Sequence, residues 1–451
     1  MDDKMNTQTP KRQLTGMLGF AIIWVGQVFS LLGTSMTSFA LSIWAWQITG
    51  QATTLALLNF FGFAPVIVMS PIAGALVDRY NRKKIMILAD FAAGLPTIGV
   101  LLLYVTGNLQ IWHLFITSAI AGTFQSFHFP AYSAAITMIL PKKHYARAGG
   151  MLSLADFASL IFAPIIAALL LTIIGIEGIM LIDITSFCLA ICMLLVVHIP
   201  QPPVTEAGLK GVGSIWKEAV YGFRYIYERP SLLGLQLIFF TSNFFSSFGT
   251  TLLTPMVLSR TQNDAVALGT VMSAAGVGGL VGSVILIIWG GPKRRINGVL
   301  LGIANAGFFG LLLMGLGRTP IFWTITSFIA MLSIPIANSS SQAIWQAKVA
   351  PDVQGRVFAT RRLIAQTSAP MAMIIAGPLA DRVFEPGMMT GGNLTALFGW
   401  VVGTGPGTGI AAMFVIAGIL EIIFSLGGYA VKAVRDVEDI LPDHDVKAAP
   451  A

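Results

Sequence analysis

Residues 74–84 read Gly-Ala-Leu-Val-Asp-Arg-Tyr-Asn-Arg-Lys-Lys and form a charged segment between two apolar stretches, at about 53–77 and 85–106. Each stretch is long enough for a helix to cross the hydrocarbon core of a bilayer, which takes roughly 20 residues. A short polar segment between two such helices must lie at a membrane surface. The segment therefore predicts two membrane-spanning helices that are joined at one face of the membrane.

The composition of the whole chain also indicates a membrane protein. Apolar residue types make up 55% of the 451 residues, and charged types make up 10%. Ordinary soluble domains carry roughly 25% charged residues. Because this chain lacks the polar residues that a water-facing surface requires, we expect lipid to be the solvent for most of its surface.

Twelve stretches of the sequence are long and apolar enough to span the membrane. They lie at about 17–45, 53–77, 85–106, 111–138, 148–174, 178–199, 231–257, 266–289, 298–316, 321–346, 357–382 and 409–432. In lipid, the backbone polar groups of each stretch must be satisfied within it, so each is predicted to be a helix. Gly278 and Gly282, four apart in the eighth span, predict a close contact with another helix.

The positions of the basic residues set the predicted orientation. If the N-terminus is cytoplasmic and the spans alternate, all but Arg260, Arg318 and Arg382 of the 27 Lys and Arg residues fall in cytoplasmic segments. The net charge of +7 then reflects membrane topology rather than a nucleic-acid surface. We expect a multi-pass protein of a bacterial plasma or inner membrane, with both termini in the cytoplasm.

The longest cytoplasmic connection divides the chain into two halves of six spans. The predicted domains are a six-helix bundle at 1–199, a cytoplasmic linker at 200–230, a second six-helix bundle at 231–432 and a cytoplasmic tail at 433–451. In the linker, aromatic and apolar residues recur at helical spacing over 213–228, which favours a helix lying on the inner leaflet. The alternative is a short soluble helix packed on the loops.

The segment 74–84 resembles the signature loop of the major facilitator superfamily, G-x-L-x-D-R-x-x-R-K. The residues that carry the gating prediction are Gly74, Asp78, Arg79, Arg82 and Lys83. The resemblance implies an all-α membrane protein with 12 transmembrane helices in two six-helix bundles. It also implies that Asp78 holds the cytoplasmic end of the eleventh span in the outward-facing state, with Arg356, Arg361 and Arg362 as its candidate partners. The alternative is that these residues only determine topology.

Three further segments resemble a narrower group, the type-3 drug:proton antiporters, which are similar to macrolide-efflux proteins and the enterobactin exporter. They lie at 335–346, 353–356 and 377–386. Span 5 also matches the spacing of the family's antiporter motif around Pro164, with Ser or Ala in place of four glycines. The resemblance implies multidrug efflux and antibiotic resistance by proton-coupled antiport.

The stretch 376–382, Ala-Gly-Pro-Leu-Ala-Asp-Arg, repeats the G-x-L-x-D-R pattern of 74–79. It falls at the outer end of the eleventh span, whereas the signature loop is cytoplasmic. We therefore do not count it as a second copy of that loop.

Acidic residues inside the spans are the predicted coupling sites, because an ionised group at the bilayer centre costs roughly 2.5–3.5 kcal/mol. We predict that Asp156 carries the proton, and that Glu421 and Asp183 are further candidates. Spans 1 to 6 contain no Lys or Arg, so a coupling scheme built on an arginine in span 4, as in many superfamily antiporters, does not apply. Asp90 is expected to pair with the arginines of the signature loop. The alternative for each acid is a protonated or hydrogen-bonded packing role.

Spans 1, 4, 7 and 10 line the cavity in this superfamily. The candidate cavity residues that they offer here are Gln27, Thr34, Gln125, His128, Asn243, Asn338 and Gln342. Apolar walls with a few uncharged donors suit bulky, amphipathic cargo such as drugs, macrolide-like compounds or secondary metabolites. The alternative is that these residues form hydrogen bonds between helices.

Other functional classes lack support in the sequence. No set of nucleophile, base or metal ligands converges, and Cys188 and Cys192 are expected to pack within their helix, so we predict neither an enzyme nor a metal or cofactor. No filter loop or repeated pore-lining charge favours a channel. The expected partners are a small-molecule substrate, protons and the lipid bilayer, with no nucleic acid, and the chain is expected to be a monomer. A dedicated siderophore or peptide exporter and a proton-coupled uptake symporter remain as alternatives.

Overall fold

The computed structural model describes residues 16–79, 81–141, 145–199, 222–349 and 351–442. Some positions within these helices are described for the backbone only. Gly74, Asp78 and Arg79 are among them, so the contacts of the Asp78 and Arg79 side chains are not described. The predicted interfacial helix at 213–228 lies mostly outside the described residues; from residue 222 to 227 the chain is helical.

Every regular element in the described part of the chain is a helix. In chain order the helices are α1 Gly16–Thr49, α2 Ala52–Arg79, α3 Arg82–Val105, α4 Ile111–Ile139, α5 Tyr145–Val196, α6 Pro230–Arg260, α7 Ala265–Trp289, α8 Arg295–Leu316, α9 Pro320–Lys348, α10 Pro351–Leu379, α11 Thr395–Val402, α12 Thr408–Gly427, α13 Lys432–Arg435 and α14 Val437–Ile440. A π-helical turn, Phe308–Leu313, lies inside α8. A second one, Ala380–Phe384, continues α10 and leads into a short helix, Glu385–Met388.

Short polar side chains fix where several helices begin. Asn81 accepts a hydrogen bond from the Lys84 amide at 3.1 Å and caps α3. Asp264 accepts from the amides of Val266 and Ala267 at 2.8 and 3.1 Å and caps α7. Such bonds satisfy amides in the first turn that have no partner within the helix.

Ten helices in the described residues are long and apolar enough to cross a membrane, which confirms the all-α membrane fold. In α5 the backbone leaves helical geometry at Gly175, with φ 66° and ψ −173°. Thr34 of α1 donates to Asp183 at 3.0 Å, and the neighbouring Ser35 bonds Ser159 at 2.8 Å. Because both sides of Gly175 therefore lie beside one level of α1, the chain folds back there and α5 corresponds to the predicted spans 5 and 6. The total of twelve spans stays a prediction.

The helices form two groups, α1–α5 and α6–α12, and glycines allow close crossings within each. A Cβ on Gly122 of α4 would lie 2.1 Å from the Gly62 carbonyl oxygen of α2. On α7, a Cβ at Gly278 would lie 2.3 Å from the Phe328 oxygen, and one at Gly282 would lie 2.2 Å from the Leu332 oxygen. The predicted close contact at Gly278 and Gly282 is thus confirmed, and its partner is α9.

The two groups meet near one end of the molecule. We call the end that carries the loops at 81–84 and 292–295 the basic end, and the end that carries the loops at 49–52 and 261–264 the far end. Gly269 of α7 packs against Pro164 of α5, where an added Cβ would lie 2.8 Å from the carbonyl oxygen. Closer to the far end, the Trp46 indole donates to Asn263 at 3.0 Å across the two groups. The molecule is therefore closed at the far end.

Residues 432–442 pack against the basic end of the second group. The carboxylate of Glu438 accepts hydrogen bonds from the amides of Arg295 and Ile296 at 3.2 and 3.1 Å, where α8 begins. The ammonium of Lys348 donates to the carbonyl oxygens of Glu438, at 2.5 Å, and Leu441. Part of the segment predicted as a tail is therefore folded, and 443–451 lie outside the described residues.

Candidate substrate cavity and proton sites

A cavity of about 640 Å³ lies inside the first helix group. Helices α1 to α5 form its walls, with Met373 of α10 as a contribution from the second group. The volume falls within the roughly 300–1,000 Å³ typical of sites for drug-sized ligands. Among the predicted cavity residues, those that line it are Gln27, Thr34, Gln125 and His128.

The three candidates from the second group do not line this cavity. Gln342 accepts a hydrogen bond from the Arg361 guanidinium at 2.8 Å, and Asn338 is exposed elsewhere. Asn243 is half-buried in α6. The structure thus brings together the polar candidates of the first half and leaves those of the second half apart from them.

The predicted gating arginines belong to the second group. The guanidinium of Arg361 also donates to Ser341 at 2.9 Å and lies 5.1 Å from the centre of the Trp345 ring, so it is held inside this group. Arg362 is exposed. Their pairing with Asp78 in an outward-facing state stays a prediction, because the side chain of Asp78 lies outside the described residues.

The basic residues of the signature loop whose side chains are described are Arg82, Lys83 and Lys84. The ammonium of Lys83 donates to the carbonyl oxygens of Leu195 and Val197 at 2.8 and 2.7 Å, which ties the start of α3 to the end of α5. Arg82 is half-buried at the first position of α3. The contacts of Lys83 lie within the first group.

The three predicted coupling acids have different surroundings. Asp156 is exposed in the cavity wall and has no hydrogen bond or ion pair with another described residue. Asp183 also lines the cavity but is 3% exposed and accepts hydrogen bonds from Thr34 and Thr97, at 3.0 and 3.3 Å. Among the acids of the cavity wall, Asp156 is therefore the exposed one that has no partner among the described residues.

Glu421 lies in the second group, away from the cavity. It is 4% exposed and accepts a hydrogen bond from the Ser242 hydroxyl of α6 at 3.0 Å. A Cβ on Gly307 of α8 would approach its side chain to 3.1 Å. These contacts join α12 to two neighbouring helices.

The cavity wall contains an aspartate–histidine pair that the sequence analysis did not predict. Asp90 of α3 lies 3.1 Å from the His128 imidazole of α4 and accepts a hydrogen bond from Gln27 of α1 at 2.9 Å. The expectation that Asp90 pairs with the signature-loop arginines was therefore wrong. Asp90 lies about two turns into α3, so its carboxylate reaches the cavity rather than the loop. The shared depth of Asp90 and His128 in consecutive, oppositely directed spans was the signal that could have found the pair.

The Asp90–His128 contact is expected to stabilise the first helix group. Their side chains are 13% and 17% exposed, so each would lose a partner in poorly solvated surroundings if the other were removed. We expect Asp90→Asn and His128→Leu to be non-additive, with a coupling free energy of roughly 1–3 kcal/mol for residues in contact. Thermal unfolding of the single and double variants in detergent measures it. Additive losses would show that the contact contributes nothing.

The span 5 motif lies where the two groups touch. Pro164 and Ala168 pack against Gly269 of α7, and the main chain at Leu160 and Ile161 packs against Gly276. Small residues at these positions let two helices of different groups approach closely. The matched spacing therefore marks part of the interface between the two groups.

Comparison with known proteins agrees with this arrangement. Macrolide efflux protein A of Streptococcus pyogenes is 28% identical over 375 residues, which is 81% of this chain and 90% of that protein. The multidrug efflux pump Tap of Mycolicibacterium fortuitum is 24% identical over 77% of this chain and 86% of that protein. These similarities indicate a transporter rather than an enzyme.

Solved structures share the fold. A bacterial homologue of the human lysosomal transporter Spinster, in an inward-facing and unoccupied conformation, superposes with a TM-score of 0.69 at 13% identity and covers 97% of this chain and 100% of that one. A bacterial homologue of the iron transporter ferroportin gives a TM-score of 0.63 at 14% identity, covering 90% and 98%. The family model of the Major Facilitator Superfamily matches residues 23–373. With these matches and its two groups of membrane-spanning helices, the chain belongs to the Major Facilitator Superfamily.

Proposed function

We propose that this transporter exports amphipathic small molecules of macrolide-like size in exchange for protons, by alternating access. The drug-efflux relatives and the cavity support this proposal. The cavity is large enough for a drug-sized molecule, and it is lined by apolar residues together with polar ones that are mostly uncharged. Such walls suit an apolar cargo that carries scattered hydrogen-bonding groups.

The main support for proton coupling is the position of Asp156 in the cavity wall. It faces the cavity with no partner among the described residues, whereas Asp183 and Asp90 already hold hydrogen bonds there. A carboxyl group in that position can take up a proton and release it without first breaking another contact. We assign the exchanged proton to Asp156.

The orientation follows from the basic loops. The positive-inside rule places the basic end, and with it both termini, in the cytoplasm of a bacterial cell. The structure is then closed towards the outside, and an exporter in this state would load its cargo from the cytoplasm. We propose that the chain works as a monomer, since one chain contains both helix groups.

The proton gradient is strong enough for export. A potential of 100 mV supplies roughly 2.3 kcal/mol for each charge moved. At about 1.4 kcal/mol for each tenfold step, this supports about fiftyfold accumulation per proton.

Everted membrane vesicles test the proposal. Vesicles that contain the protein should accumulate a labelled macrolide when their interior is acidified, and a protonophore should release it. Accumulation that persists after the gradient collapses would contradict proton coupling. Accumulation only in right-side-out vesicles would favour uptake, and accumulation of a siderophore or peptide in place of the macrolide would favour a dedicated exporter.

A further inference from the structure

We infer that Asp381 is a latch that holds the far end closed by capping α2 across the interface between the two helix groups. Its carboxylate accepts hydrogen bonds from the backbone amides of Ala52 and Thr53, at 2.9 and 2.7 Å. The Ala52 contact joins residues 329 apart in the chain. Asp381 belongs to the second group, and the amides belong to the first.

The hydrogen bonds from the two amides to Asp381 are of a strong type. The amides of the first turn of a helix have no partner within the helix, and the helix dipole places partial positive charge there. An ionised carboxylate that accepts from such amides forms charge-assisted hydrogen bonds, which are roughly twice as strong as neutral ones. A residue of the other group thus satisfies the start of α2, a membrane-spanning helix.

The backbones of α10 and α2 are in contact one turn away from the latch. A Cβ on Gly377 would lie 2.5 Å from the Thr53 Cα and 2.8 Å from the Ala56 Cβ, so only glycine fits there. Gly377 and Asp381 are four residues apart and face the same side of their helix. The glycine therefore permits the approach that brings the carboxylate to the two amides.

A second contact across the same end supports the closed arrangement. The Trp46 indole of α1 donates to Asn263 at 3.0 Å. Asn263 has φ 66°, in the left-handed region, where residues other than glycine are uncommon. This conformation, in which asparagine is enriched, places an acceptor of the loop between α6 and α7 against the other group.

A neighbouring acid shows what is particular to Asp381. Glu385, four residues later, accepts from the amides of Gly407 and Ile410 at 3.0 and 2.8 Å and caps α12 in the same way. That contact stays inside the second group, so movement between the groups leaves it intact. The bonds of Asp381 must break whenever the far end opens, and they therefore favour the closed state.

The latch also accounts for the sequence pattern at 377–382. The pattern G-x-L-x-D-R of 74–79 recurs there, at the far end of α10, and α10 packs against α2. Gly377 and Asp381, the glycine and the aspartate of this pattern, are the residues that touch α2. This inference does not depend on proton coupling, because it concerns only the contact that opening must break.

Distances between spin labels test the latch directly. Labels on Asn108→Cys and Thr390→Cys, two exposed residues of the far end in different groups, would be placed in a background with Cys188→Ala and Cys192→Ala. We expect Asp381→Ala to raise the ratio of long to short distances by about tenfold or more, the effect of losing two charge-assisted bonds. Glu385→Ala is the matched control, and its ratio should stay at the parent value.

A second variant keeps the test decisive if Asp381→Ala does not fold. Gly377→Val places a branched side chain where no Cβ fits, so it should also shift the distances towards the open state. If Asp381→Ala or Gly377→Val folds and its ratio of long to short distances equals that of the parent protein, the inference is overturned. An equal shift in Glu385→Ala would also overturn it, because loosening of the second group alone would then explain the result.

Discussion

Asp156→Asn is expected to abolish gradient-driven accumulation of a macrolide in everted vesicles, while exchange of labelled for unlabelled substrate persists. The reason is chemical: the amide keeps the shape of the carboxyl group but cannot exchange a proton. Because Asp156 has no hydrogen bond or ion pair with another described residue, its replacement removes no structural contact. Expression and thermal stability should therefore match the parent protein.

Asp264→Asn is the matched control for this prediction. Asp264 caps α7 in a loop at the far end, and asparagine is an equally good capping residue. The control should accumulate substrate like the parent protein. Full gradient-driven accumulation by Asp156→Asn would remove Asp156 from the mechanism and leave Asp183 or the Asp90–His128 pair as the protonated groups of the cavity.

Gly278→Ala is expected to destabilise the second helix group by adding one methyl group at a crossing of two backbones. The new Cβ would lie 2.3 Å from the Phe328 carbonyl oxygen and 3.0 Å from its carbonyl carbon. The obstacle is backbone, which cannot rotate away as a side chain can. Overpacking of this kind typically costs about 1–3 kcal/mol, and it should lower the unfolding temperature of the protein in detergent.

The neighbouring glycine supplies the control. A Cβ on Gly279 would meet only the Phe157 ring, at 3.8 Å, an ordinary van der Waals contact. Gly279→Ala should therefore leave the unfolding temperature near that of the parent protein. If the two variants unfold at the same temperature, the crossing of α7 and α9 is looser than these distances require.

The fold was largely predictable because lipid imposes strong rules. Apolar length, basic loops and one charged segment at 74–84 were enough to predict the helical membrane fold and the family, and the glycines of α7 indicated a close helix contact. The sequence also placed the break between spans 5 and 6 at 175–177, where Gly175 leaves helical geometry. Its left-handed φ is a local backbone property that only the folded chain reveals.

The site was less predictable, because partners depend on how helices are rotated against each other. Gln27 and Thr34 reach the cavity as predicted, but each bonds an acid there, Asp90 and Asp183 respectively. Asn338 and Gln342 follow the same sequence rule and point elsewhere. Sequence spacing places a residue at a depth in the membrane, and it does not choose which neighbour that residue meets.

The role of 377–382 was missed for a related reason. The prediction placed this stretch at the membrane face opposite the signature loop, and the structure places it at the far end. It was not counted as a second copy of the loop for that reason, so its role was missed. The bonds from Asp381 to α2 join distant parts of the chain and involve backbone amides. Backbone amides leave no trace in residue identity, so no sequence pattern on α2 indicates the partner.

Proton movement coupled to substrate movement is the most direct test of the central claim. The purified protein would be placed in liposomes that contain a pH-sensitive dye, with no gradient at the start, and a macrolide would be added outside. The account predicts that substrate entering the liposomes drives protons out, so the interior becomes alkaline, and that Asp156→Asn shows no such change. Substrate entry without any pH change in the parent protein would contradict the account.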